Sequence, residues 1–163
     1  SLPPLNTKTT LFVCGVGFSD VRKYPSSVCQ TLVSGLKGTT KKVSVMLGVP
    51  YYWRTLERDT ENNPLLYTVI KSADIVMPWA VGRYNSGSYS STATVRLIND
   101  IDWCKINKVD YVPLVFPGFS WANMHNDPSI YNLTPREKGD FLWMQVAGAK
   151  LASAESLYVS MFE

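Results

Sequence analysis

Apolar and polar positions alternate along this chain between short, nearly continuous apolar runs and longer one-sided stretches. "TLFVCGVGF" (Thr10–Phe18) is apolar almost throughout, as a strand covered on both faces would be. Four further runs share that character: "KVSVMLGVP" (Lys42–Pro50), "ADIVMPWAV" (Ala73–Val81), "DYVPLVFPGF" (Asp110–Phe119) and "ESLYVSMF" (Glu155–Phe162). Between them the period becomes helical. Val28, Cys29, Leu32, Val33 and Leu36 recur at helix spacing, as do Leu97, Ile98, Ile101 and Cys104. Two helix starts are punctuated. Asn63 precedes Pro64 as a cap, and Thr134-Pro135 with Glu137 reads as a capping box launching a helix through Phe141, Leu142, Val146 and Ala149.

The predicted class is therefore α/β, with five parallel strands alternating with four helices. Strand starts about 30–45 residues apart leave room for right-handed crossovers. Two architectures fit this string. One is part of a (β/α)8 TIM barrel, whose full form takes about 250 residues. The other is a complete, open flavodoxin-like five-stranded sheet. Either way, residues 1–163 read as one domain, with "YNSGSYSS" (Tyr84–Ser91) as its flexible loop. Ser1, Leu2 and Glu163 read as cloning-derived.

Composition narrows the chemistry by exclusion. A net charge of +3, with no basic run longer than Lys41–Lys42, is no footprint for nucleic acid. One histidine, and Cys14, Cys29 and Cys104 without metal-type spacing, argue for buried free thiols and no metal. No apolar run approaches the roughly 20 residues of a membrane span. Gly15-x-Gly17 lacks the third glycine of a dinucleotide fingerprint, and neither a phosphate loop nor a nucleophile elbow is present. No cofactor is expected.

In both architectures ligands meet the carboxyl ends of the strands. The first run exits into Asp20, Arg22 and Tyr24, and the second into Tyr51, Tyr52, Trp53, Arg54, Glu57 and Asp59. The third exits into Trp79, Arg83 and Tyr84, the fourth into Phe119, Trp121, Asn123 and His125. Flat rings mixed with forked donors and acceptors suit sugars, whose C–H faces stack while their hydroxyls hydrogen-bond. The expected substrate-binding set is Asp20, Trp53, Arg54, Trp79, Arg83, Phe119, Trp121 and Asn123. Packing accounts equally well for any one ring, and a loop ion pair for any one charge. Convergence of the set carries the reading. Trp103 and Trp143 fall on predicted helices and read as packing residues.

Several phrases carry a family likeness: "GVPYYWRTLERD", "MPWAVGRY", "WCKINKVDYVPLVFPGFSWANM", "PREKGDFLWMQ" and "AESLYVSMF". Together, from about Phe12 to Phe162, they resemble bacterial proteins related to glycoside hydrolase family 99, the endo-α-mannosidase group. Relatives of that kind are often labelled xylosidase/arabinosidase. The resemblance implies a (β/α)8 barrel, an oligo- or polysaccharide substrate, and a secreted or periplasmic parent. It also implies that this chain is part of the catalytic domain. In such proteins the strand like "AESLYVSMF" runs on into an acidic stretch, ending Glu-Gly-Thr, that holds the candidate catalytic carboxylates. Here Glu163 stands where that pattern has Asp. The catalytic pair is therefore expected beyond Phe162, and no residue of this chain inherits it. Hydrolysis ordinarily needs two carboxyl groups flanking the bond, so the chain reads as binding wall. The alternatives are a non-catalytic carbohydrate-binding protein and a flavodoxin-like small-ligand domain. A part-barrel also leaves open sheet edges, so self-association is expected.

Overall fold

A computed structural model describes residues 9–20, 24–39, 43–131 and 133–160. Arg22 and residues 161–163, invoked above, lie outside the described residues. The strands are β1 (Thr9–Cys14), β2 (Val43–Pro50), β3 (Ile75–Trp79), β4 (Asp110–Tyr111), β5 (Leu114–Val115) and β6 (Tyr158–Val159). The helices are α1 (Ser26–Thr39), α2 (Leu65–Ser72), α3 (Ser86–Ser88), α4 (Thr94–Asn107), α5 (Ala122–His125) and α6 (Asp140–Leu151). Helices α1, α2, α4 and α6 are the four expected crossovers; α3 and α5 are single turns within loops. The fold is α/β with parallel strands.

The fourth apolar run changes partner at Pro113, which has no N–H to give a ladder. Before it, β4 pairs in parallel with β3, extended by Val112 N–H donating to Val76 O at 3.0 Å. After it, β5 pairs in parallel with β6, and Tyr158 N–H donates to Pro113 O at 2.9 Å. Residues 110–115 thus join a sheet ordered β1-β2-β3-β4 to the pair β5-β6. Consecutive strands are neighbours throughout. A flavodoxin-like order, 2-1-3-4-5, would place the first strand between two others. Here β1 pairs with β2 alone among the described residues.

The sheet also curls. Phe12 on β1 and Tyr158 on β6 bring their ring centroids to 6.1 Å. Four interstrand spacings would set their strands about 19 Å apart in a flat sheet. Gly48 on β2 gives Phe12 its room, since a Cβ there would come within 2.9 Å of the ring. One core cluster seats Val33, Leu66, Ile70 and Cys104 against Val45, Leu47, Val49 and Val76. A second, around Met77, Leu114, Phe116, Phe119 and Phe141, supports the strand exits. No helix among the described residues is long and apolar enough to cross a membrane.

Local expectations fare unevenly. Asn63 caps as predicted: its Oδ1 accepts Leu65 N–H at 3.0 Å, with Pro64 already helical. Tyr84–Ser91 is not a loose loop. Asn85 and Ser88 form a capping box, a π-helical turn (Tyr89–Ala93) follows, and Tyr89 is buried. Thr134 does not cap α6. Its backbone is bound instead to Phe119, N–H to O in both directions at 2.9 and 3.1 Å, so the helix starts only at Asp140. Cys29 and Cys104 are buried free thiols, but Cys14 is exposed on β1. Val28 and Leu32 of the α1 stripe are exposed as well.

Candidate functional site

The strand exits are knitted together before they present anything to a ligand. Ser19 N–H donates to Asp59 O at 2.9 Å, Ser19 Oγ to Arg58 O at 3.1 Å, and Glu61 N–H to Gly17 O at 2.9 Å. A bridge between Phe18 and Thr60 completes the seam between the first and second exits. Asp59 ties the second exit to the third. Its Oδ2 meets Arg83 Nη2 at 2.6 Å, and its two oxygens accept Tyr51 N–H and Tyr52 N–H at 3.4 and 3.3 Å. The third and fourth exits meet at Gly82, whose φ of +73° suits glycine. A Cβ on Gly82 would come within 2.9 Å of the Phe119 ring.

These contacts enclose an open cleft of about 400 Å³ lined by Phe18, Ser19, Asp20, Asp59, Trp79, Val81, Gly82, Arg83, Phe119 and Trp121. Five residues of the predicted set are on it: Asp20, Trp79, Arg83, Phe119 and Trp121. Phe119 is 6% exposed and takes the Trp121 ring edge-on, centroids 4.8 Å apart at 88°. Trp121, 36% exposed, also meets the His125 ring, centroids 5.0 Å apart. The buried ring braces the accessible one. A more enclosed hollow between α4, α6 and the sheet holds about 30 Å³, room for about one water and not for a sugar.

Trp53 and Arg54 do not reach the cleft. Trp53 is fully buried and meets Trp103 edge-on, centroids 4.9 Å apart. Arg54 Nε donates to Asp100 Oδ1 at 2.6 Å, and Asp100 is 1% exposed. Successive residues of a tight turn diverge in direction, so a Tyr-Tyr-Trp-Arg run cannot all face one ligand. Asn123 lies on α5, and its side chain is outside the described residues.

The sequence-predicted set omits Asp59 and Gly82, which organise the site. Their signals were a glycine directly following the third predicted strand and a carboxylate nine residues beyond the second. It also omits Gln145, a buried amide on α6. Gln145 Nε2 donates to Phe116 O at 2.7 Å and Phe141 O at 3.0 Å. Its Oε1 accepts Phe116 N–H at 3.2 Å and Tyr84 O–H at 3.0 Å. One side chain thus fixes where the third and fourth exits leave the sheet. Among the described residues no cluster of His, Cys, Asp and Glu is placed to hold a metal ion.

No protein-family model matches the chain, and no curated protein matches it. Solved structures do. The endo-α-mannosidase of glycoside hydrolase family 99 from Bacteroides thetaiotaomicron, in complex with bis-tris propane, superimposes with a TM-score of 0.54 at 17% identity. The match covers 78% of this chain and 36% of that one. A second structure of the enzyme from that organism gives a TM-score of 0.49 at 12% identity, covering 93% of this chain and 52% of the other. The chain therefore spans about a third to a half of the length of the structures it matches. What the first of them shares with this chain is a glycosidase-like α/β fold.

Proposed function

We propose that this chain forms the substrate wall of a carbohydrate cleft in a (β/α)8-barrel glycoside hydrolase. The observation that carries the reading is convergence. Trp79, Trp121, Arg83 and Asp20, from three different strand exits, border one cleft of about 400 Å³. The half-buried Trp79 and the accessible Trp121 offer faces for sugar rings, and Arg83 and Asp20 offer partners for hydroxyls. Sequential strand order and the curled sheet support the barrel, and the glycosidase-like fold supports the reaction class.

Asp59 is a positioning carboxylate in this reading. Both its oxygens are occupied by Arg83 and backbone N–H groups, and Asp20 is the other acid lining the cleft. Hydrolysis of an oligo- or polysaccharide then takes a pair of carboxyl groups flanking the scissile bond.

Titration of the chain with neutral manno-, xylo- and arabino-oligosaccharides, followed by tryptophan fluorescence, tests this. At least one series should saturate. Trp121→Ala and Trp79→Ala should each weaken it about tenfold, the loss of about 1.4 kcal/mol that one good stacking face supplies. Absence of binding at millimolar concentration, or binding indifferent to both substitutions, would refute the cleft.

A further inference from the structure

Beside the cleft, on the other side of Arg83, lies a second hollow of about 250 Å³ that no part of the neutral-sugar reading uses. Three arginines line it: Arg58 from the second strand exit, Arg83 from the third, and Arg96 from α4. Arg83 lines both hollows, so they adjoin. Glu57 is the one acidic residue among the lining side chains.

The arginines are held in an unusual way. The Arg58 guanidinium carbon lies 4.6 Å from the centre of the Tyr52 ring, and Arg58 Nη1 donates to Tyr52 Oη at 2.6 Å. The Arg96 guanidinium carbon lies 4.4 Å from the centre of the same ring and 5.3 Å from that of Tyr51. Two cations thus share one aromatic ring. Neither has a carboxylate within ion-pair distance among the described residues; Arg83 alone of the three does, through Asp59. Asp100 attracts Arg96 from the buried side, but its short bond is made to Arg54. Arg96 Nη1 is buried without any hydrogen-bond partner. An unsatisfied buried donor of this kind is costly, and like charges on one ring repel each other. One small anion in the hollow relieves the repulsion, because a guanidinium fork fits a carboxylate or sulfate by two parallel hydrogen bonds.

We propose that this hollow, bounded by Tyr52, Arg58, Arg83 and Arg96, seats the anionic group of an acidic glycan whose neutral rings lie along the Trp79–Trp121 cleft. The inference rests on the carbohydrate reading for the rest of the ligand but not for the anion. The anionic group is a carboxylate, as in a uronic acid, or a sulfate ester. Ser88 and Thr92 on the same rim suit the hydroxyls flanking it.

Calorimetric titration at low ionic strength with glucuronate, glucose and sodium sulfate tests the proposal. Glucuronate should bind about tenfold or more tightly than glucose, and the preference should shrink in 0.5 M salt, where the screening length falls to a few Å. Sulfate competing with glucuronate, with higher affinity, would assign the site to sulfate esters; weaker competition would assign it to carboxylates. Arg96→Gln should abolish the preference and leave glucose unaffected. Arg58→Gln, at an exposed position, should reduce it about fivefold or more without risk to the fold. Equal binding of glucuronate and glucose, or a preference unchanged in both variants, would overturn the anion site. The two readings fail separately. If Trp121→Ala and Trp79→Ala leave all neutral binding unchanged while glucuronate still depends on Arg58 and Arg96, the cleft falls and the anion site stands.

Discussion

Asp100 occupies the buried stripe of α4, between Leu97 and Cys104, and is 1% exposed. Burial pushes its carboxyl up from 3.8 to about 6, while the Arg54 bond pulls the other way. Oδ2 of Asp100 and Nε1 of Trp53 are both buried without a hydrogen-bond partner. A carboxyl with a raised folded pKa holds its proton more tightly in the folded state than in the unfolded one. Its contribution to stability is therefore present below about 3.8 and is lost as pH rises through about 6. Urea unfolding of the wild type and Asp100→Asn across this range should show their stability difference falling by about 1.4 kcal/mol per pH unit, then levelling off. A difference that stays flat or rises would show that burial does not govern this carboxyl. An Asp inside an apolar stripe was readable in the sequence as an anomaly. Its claim on Arg54, which removes Arg54 from the cleft, was not, because the two are 46 positions apart.

The fourth exit and α6 show how elements depend on single polar anchors. The apolar run from Asp110 to Phe119 reads as one strand, yet Pro113 divides its pairing between β3 and β6. Gln145 then holds the end of this segment by four hydrogen bonds to Phe116, Phe141 and Tyr84. Replacing it with Leu keeps the volume roughly constant and strands those groups in the core. Gln145→Leu should cost at least about 2 kcal/mol in urea unfolding, the penalty for unsatisfied buried partners. The same variant should bind oligosaccharide more weakly, since Phe119 and Tyr84 would lose their fixed places. A loss below about 0.5 kcal/mol would show that water or repacking replaces the amide. Helical periodicity marked the interior of α6 correctly. Its start was misjudged because Thr134 is engaged at long range, its backbone with Phe119 and its hydroxyl with Tyr84 O.

Across the whole molecule, exposed apolar residues occur on several elements, and four of them lie on or beside α6 and the last strand. Trp143 is 69% exposed, Leu151 86%, Leu157 38% and Val159 58%. Strand β6 pairs with β5 alone among the described residues. Open edges and contiguous apolar surface favour association. We expect light scattering at rising concentration to give a mass above 18.2 kDa for this chain, and Val159→Lys with Trp143→Glu to return it to the monomer. A monomer at all concentrations would show that this surface is tolerated in water.

Periodicity and turn residues, which act over a few positions, were enough to specify the α/β class, the order of strands and crossovers, and the gathering of Trp79, Arg83, Phe119 and Trp121 at strand exits. Those properties follow from local geometry: strands alternate, helices repeat, and parallel strands end on one edge. Which side each exit residue faces was settled by contacts between distant segments. Trp53 turned inward to Trp103, Arg54 went to Asp100, and Asp59 bridged to Arg83. The curl that brings Phe12 to Tyr158 belongs to the same class. A sequence pattern records that a residue is apolar or charged. Its partner is chosen by the free energy of burial and pairing across the folded chain, and that choice has no local signature.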